Sequence, residues 1–67
     1  MFNKDAAIKE FRRIYPEDFI QIFSVEEIGE NYILGVDFPD GTFYFVVTEY
    51  SVSSSYNSFD EAKRAIW

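Results

Sequence analysis

Ala7, Ile8, Phe11, Ile14 and Tyr15 recur at intervals of three and four residues. That spacing puts them on one stripe of an α-helix and predicts a first helix over 3–15. Asn3 stands where an N-cap side chain accepts a free backbone N–H, and Asp5 falls in the first turn. Arg12 and Arg13 fall in the last turn, where cations favour the helix dipole. Pro16 then disfavours helical angles at Tyr15 and ends the run.

From there the period changes to that of strands. Segments 19–28, 32–38 and 42–52 are rich in β-branched and aromatic residues and predict three strands. Glu26-Glu27, at the end of the first, and the Gly29-Glu30-Asn31 stretch mark a turn, and Pro39-Asp40-Gly41 lies between the second and third. In the latter, Pro presets the turn and Gly accepts a left-handed backbone. Read as a three-residue loop ending in Gly, it predicts a type I turn with a bulge. Residues 50–57 are polar and uncharged, so they read either as the end of the third strand and a loop, or as a short edge strand. Ser58-Phe59-Asp60-Glu61 has the form of a capping box. Behind it Phe59, Ala62, Ala65 and Ile66 form an apolar stripe on a closing helix that runs to Trp67. The resulting expectation is an α+β fold in one domain over 1–67. Its order is α-β-β-β-α, with a three-stranded antiparallel meander and both helices on one face.

A loop of three residues would close the second hairpin with Phe38 opposite Thr42. Val36 would then face Tyr44, Leu34 would face Val46 and Tyr32 would face Thr48. Strand alternation would collect Tyr32, Leu34, Val36, Phe38, Tyr44, Val46 and Tyr50 on one side of the sheet. Ile33, Gly35, Phe43, Phe45 and Val47 would share the other, with Asp37 and Glu49 at its ends. The phenylalanine side suits burial under the helices, and the tyrosine side suits an interface. A slip of one residue would exchange the faces.

Composition narrows the chemistry. A chain of 67 residues buries only about 60% of the surface its unfolded form exposes. It has no Cys and no His, which excludes disulfides and thiolate metal sites and removes the commonest general base near neutrality. Eight Phe, five Tyr and one Trp supply large buried areas instead. Ser53, Ser54 and Ser55 have no histidine to activate them, and three glycines form no phosphate-binding loop. Asp37, Asp40 and Gly41 lack the spacing of a calcium loop. The expectation is therefore a protein that is not an enzyme and takes no cofactor. Met1-Phe2-Asn3-Lys4-Asp5 has neither a charged n-region nor a following apolar h-region, so no signal peptide is expected, and the apolar run 43–47 is too short to cross a bilayer. A cytoplasmic location is expected.

The net charge of −6 is unevenly placed. Lys4, Lys9, Arg12 and Arg13 lie near one end and Lys63 and Arg64 near the other, while ten acidic residues and no basic ones fall between Arg13 and Lys63. Such a field repels nucleic acid and membranes and attracts basic surfaces. Three strands without Lys or Arg lack the cations that a sheet placed in the major groove presents to phosphates, so charge disfavours that reading. The function expected from this pattern is a small acidic module, an inhibitor or adaptor, docking on a protein partner with a basic surface. Glu26, Glu27, Glu30, Asp37, Asp40 and Glu49 are the candidate contacts, with Tyr32, Tyr44 and Tyr50 as anchors. In size and charge the chain is similar to the acidic decoys among phage anti-CRISPR and anti-restriction proteins, which mimic nucleic acid against nucleic-acid-binding enzymes. That likeness is one of class and rests on no motif. The alternative expectation is a structural or regulatory domain that self-associates through the tyrosine-rich sheet face. The chain would be a monomer or a homodimer accordingly.

Overall fold

The computed structural model describes residues 2–66. Helix α1 spans Lys4–Ile14, strands β1, β2 and β3 span Gln21–Ile28, Asn31–Phe38 and Gly41–Val47, and helix α2 spans Phe59–Ile66. The strands form one antiparallel sheet in the order β1-β2-β3. This is the α+β meander expected, and both helix starts follow the sequence signals. Asn3 Oδ1 accepts from the Ala6 N–H at 2.9 Å, and Ser58 Oγ accepts from the Glu61 N–H at 3.2 Å. The expectation that the closing helix runs to Trp67 falls on a residue outside those described.

The second hairpin corrects the expected register. Phe38 pairs with Gly41, so the loop is the two residues Pro39 and Asp40, and Gly41 enters the ladder at φ 150°. Gly35 faces Tyr44, Leu34 faces Phe45 and Tyr32 faces Val47. Every side chain of β3 is thereby turned to the opposite face from the one expected. The reason is packing. In this register Phe45 and Val47 join Tyr32, Leu34 and Val36 in one buried cluster with Ala7, Phe11 and Ile20, and Phe38 and Phe43 pack against it. Phe11 stacks on Tyr15 at 4.8 Å and meets Phe45 edge-on at 5.0 Å. Pooling the largest rings on one face gives a core that a three-residue loop would have divided.

A second correction follows from the first. The helices lie on opposite faces of the sheet, not on one. Ala7 and Phe11 of α1 belong to the large cluster, whereas Ala62 of α2 packs with Ile33 and Val46, joined by Ile28, Tyr44, Tyr56, Phe59 and Ile66. The register sends Ile33 and Val46 away from α1, and that apolar pair needs its own cover. Each helix buries a narrower stripe than its pattern suggested, leaving Ile14 and Ala65 exposed.

Strand β1 begins at Gln21, two residues later than expected. Phe19 sits in the preceding turn, 60% exposed, while Ile20 is buried. Arg12 fixes this connection, donating to the carbonyl of Glu17 at 3.0 Å and to that of Ile20. A bulge between Ile22 and Ser24 leaves Phe23 as the extra residue. Its ring lies over Gly35, where an added Cβ would stand 2.7 Å from Phe23 Cζ and 2.5 Å from Ser24 Oγ. Gly35 therefore makes room for an aromatic ring on the α2 face, and Phe23, Tyr44 and Phe59 form an edge-to-face row across it.

Strand β3 ends at Val47, five residues earlier than expected. Thr48 Oγ1 accepts from the N–H groups of Tyr50 and Ser51 at 3.2 and 3.0 Å, and the Thr48 N–H donates to the Ser51 carbonyl at 2.8 Å. The chain reverses there and returns along the outer edge of β3. Val52 bridges to Val47 and Tyr56 to Tyr44. Of the two readings left open for 50–57, the edge segment is the one adopted. One more residue separates Val52 from Tyr56 than separates Tyr44 from Val47, so this segment bulges. Ser53 fills the gap: its N–H donates to the Val46 carbonyl, and its Oγ accepts from the Val46 N–H, both at 2.9 Å.

Candidate binding surface

The meander turns the acidic residues of adjoining segments toward different parts of the surface. The β1–β2 hairpin and the Thr48–Ser51 turn lie at one end of the sheet, the β2–β3 hairpin at the other. Gly29 and Glu30 form the first hairpin's two-residue loop, closed by Ile28 opposite Asn31. Gly29 has φ 63° and Glu30 does not have positive φ, which is the pattern of a type II′ turn.

At that end the structure forms an open groove of about 800 Å³ lined by Glu27, Glu30, Glu49, Tyr32 and Tyr50. Five of the nine candidate contacts are thus brought together. Glu27 stands opposite Tyr32 in the β1–β2 ladder and on the α1 face with it. Glu30 projects from the hairpin and Glu49 from the turn held by Thr48, and all three glutamates are exposed. Tyr50 is 90% exposed. Tyr32 is the exception, being 7% exposed and packed edge-on against Phe2 at 5.7 Å. Burial, and then the neighbouring Glu27 carboxylate, raise its phenol above the ordinary value. Its ring forms the floor of the groove.

The other four candidates lie elsewhere. Glu26 neighbours Glu27 in sequence but faces the α2 side, opposite Ile33. Tyr44 is half-buried on that same side between Phe23 and Phe59. Asp37 and Asp40 belong to the far hairpin, roughly 25 Å from Glu30 along an eight-residue strand. Asp37 Oδ1 accepts from Thr42 Oγ1 at 2.8 Å, so part of its role is to close the hairpin.

Phe2, Gly29, Asn31 and Thr48 also line the groove and are not among the candidate contacts read from the sequence. A Thr followed three residues later by Ser carries a turn signal, since a hydroxyl can accept from backbone N–H groups just ahead of it. The strand-like residues before Thr48 obscured it.

Chemically the groove offers separated carboxylates, a solvent-facing phenol and an aromatic floor. Among the described residues no three His, Cys, Asp or Glu side chains converge as metal ligands. Among them, too, no helix is long and apolar enough to cross a membrane. No protein-family model, curated protein or solved structure matches the chain.

Proposed function

We propose that the chain is a non-catalytic binding module that docks its acidic sheet end on a basic surface of a protein partner. The observation that supports this reading is the gathering of Glu27, Glu30, Glu49 and Tyr50 around one groove from three separate segments. Fixed carboxylates attract a basic surface over a distance, and an exposed tyrosine supplies contact area with few rotatable bonds. Such a module inhibits or adapts its partner by occupying the surface. A nucleic-acid-binding enzyme is the partner class that such a charge suits, with carboxylates taking the places of phosphates, as in the phage decoys. The protein would then act in the cytoplasm of its host.

Self-association through a tyrosine-rich sheet face has no comparable support, because the register puts Tyr32 and Tyr44 on opposite faces.

The test is capture of partners from host lysate by the tagged chain, with the Glu27→Gln, Glu30→Gln, Glu49→Gln triple variant beside it. A nucleic-acid-binding enzyme held at low salt should be lost at high salt and by the variant. With that partner purified, the variant's association rate should fall about tenfold or more at low salt. Binding that survives both high salt and the triple substitution would rule out the acidic end as the docking surface.

A further inference from the structure

The two edges of the sheet are treated differently. The outer edge of β3 is covered by the returning segment 52–56, with a serine hydroxyl standing in where the bulge breaks the ladder. The outer edge of β1 has no strand beside it among the described residues. Which of its backbone groups point outward follows from the β3 side. Tyr44 exchanges both hydrogen bonds with Tyr56, so its backbone turns away from β2. Its partner Gly35 therefore bonds toward β1 at Ser24. Alternation along an antiparallel ladder then turns the N–H and C=O of Val25 and Glu27 outward.

A groove of about 420 Å³ runs along this edge, walled on its other side by Lys4, Ile8 and Arg12 of α1. Ile8, Ile22 and Val25 are only half-buried there. The groove has the form of an absent strand's bed, with outward amide groups, an apolar wall and flanking cations. Lys4 and Arg12 are the charged side chains that α1 places on this groove, so this flank is positive on an acidic protein. The strand that fits would carry apolar residues at alternating positions and a carboxylate facing α1. Strand β1 itself meets that description, with Ile22, Val25 and Glu27 on the α1 side.

We propose that the open edge of β1 pairs antiparallel with the same edge of a second copy of this chain, making one continuous sheet across a two-fold axis. Centred on Val25, the pairing sets Val25 against its counterpart, Glu26 against Ser24 and Glu27 against Phe23. No carboxylate then faces a carboxylate, and each Glu27 comes to the cationic flank of the other copy's α1. The bulge at Phe23 ends the regular ladder and keeps the contact short. Such a short contact belongs with transient interfaces, so the association is weak and depends on concentration.

Sedimentation equilibrium on the full chain over a wide concentration range tests this. The apparent mass should rise from 7.9 kDa toward double that value, while amide exchange at Val25 and Glu27 slows with concentration. Val25→Pro removes an N–H that points out of the sheet, so the native circular dichroism spectrum should persist while association weakens about tenfold or more. Lys4→Glu changes an exposed side chain and should weaken association severalfold at low salt and little at high salt. A mass that stays at that of one chain at the highest concentration would overturn the proposal. So would a dimer indifferent to both substitutions. Either result leaves the acidic sheet end untouched as a separate question.

Discussion

Arg12 does more than its helical position indicates. Its charge suits the end of α1, but its guanidinium reaches across the connection to two carbonyls, those of Glu17 and Ile20. A planar fork can hold two acceptors at fixed separation, and an ammonium cannot do so in the same way. Arg12→Ala should cost about 2 kcal/mol in urea unfolding, and Arg12→Lys should restore less than half of it. Full restoration by Lys would show that charge alone matters. Tyr32 makes a second residue-scale case. Its phenol is raised by burial and then by Glu27, so folding favours the protonated form. The stability this contributes is complete below the unfolded phenol value near 10 and is lost as pH rises through the higher folded value. Tyr32→Phe should therefore flatten the alkaline limb of the stability profile, and a limb unchanged in that variant would contradict the assignment. Neither role was legible locally. Arg12 acts on residues five and eight positions away, and Tyr32 becomes buried only through the tertiary cluster it joins, with Phe2 edge-on against its ring.

Among the elements, the helix starts and the antiparallel order of the strands came out as the sequence pattern indicated, whereas the Pro39-Asp40-Gly41 loop, the register of β3 and the end of β3 did not. Asn3 and Ser58 mark helix starts because a side-chain oxygen can satisfy a nearby free N–H wherever the rest of the chain goes. Nothing in the residue types after Thr42 forbids a strand that runs to 52. What stops it is the hydroxyl of Thr48, which captures two backbone N–H groups and reverses the chain. The return segment then depends on Ser53. Its hydroxyl is the acceptor for the Val46 N–H at the bulge, so Ser53→Ala leaves that group unpaired beside the core. The expected cost is about 1–2 kcal/mol, with faster amide exchange at Val46 than in the unaltered chain. Unchanged exchange there would mean that water or a shifted backbone takes the place of the hydroxyl.

Across the whole molecule, three layers form where two were expected, α1 on one side of the sheet and α2 on the other. The arrangement gives each face one helix and leaves the ends of the sheet and the outer edge of β1 uncovered among the described residues. It gathers Glu27, Glu30 and Glu49 at one end, sends Asp37 and Asp40 to the other, and sets a positive α1 beside the open β1 edge. The excess of carboxylates between Arg13 and Lys63 was visible in the sequence; their division between two ends was not, because it follows from which turn each residue occupies. By itself the sequence determined the element order, the helix starts, the sign of the surface and the reliance on aromatic packing, since each depends on residue type or near neighbours. The tertiary structure decided the register of β3, and with it the face of every side chain on that strand. Strand side chains alternate with a period of two, so one residue more or less in the Pro39-Asp40-Gly41 turn reverses them all. The choice falls to the packing of Phe45 and Val47 beneath Phe11, a contact between residues more than thirty positions apart.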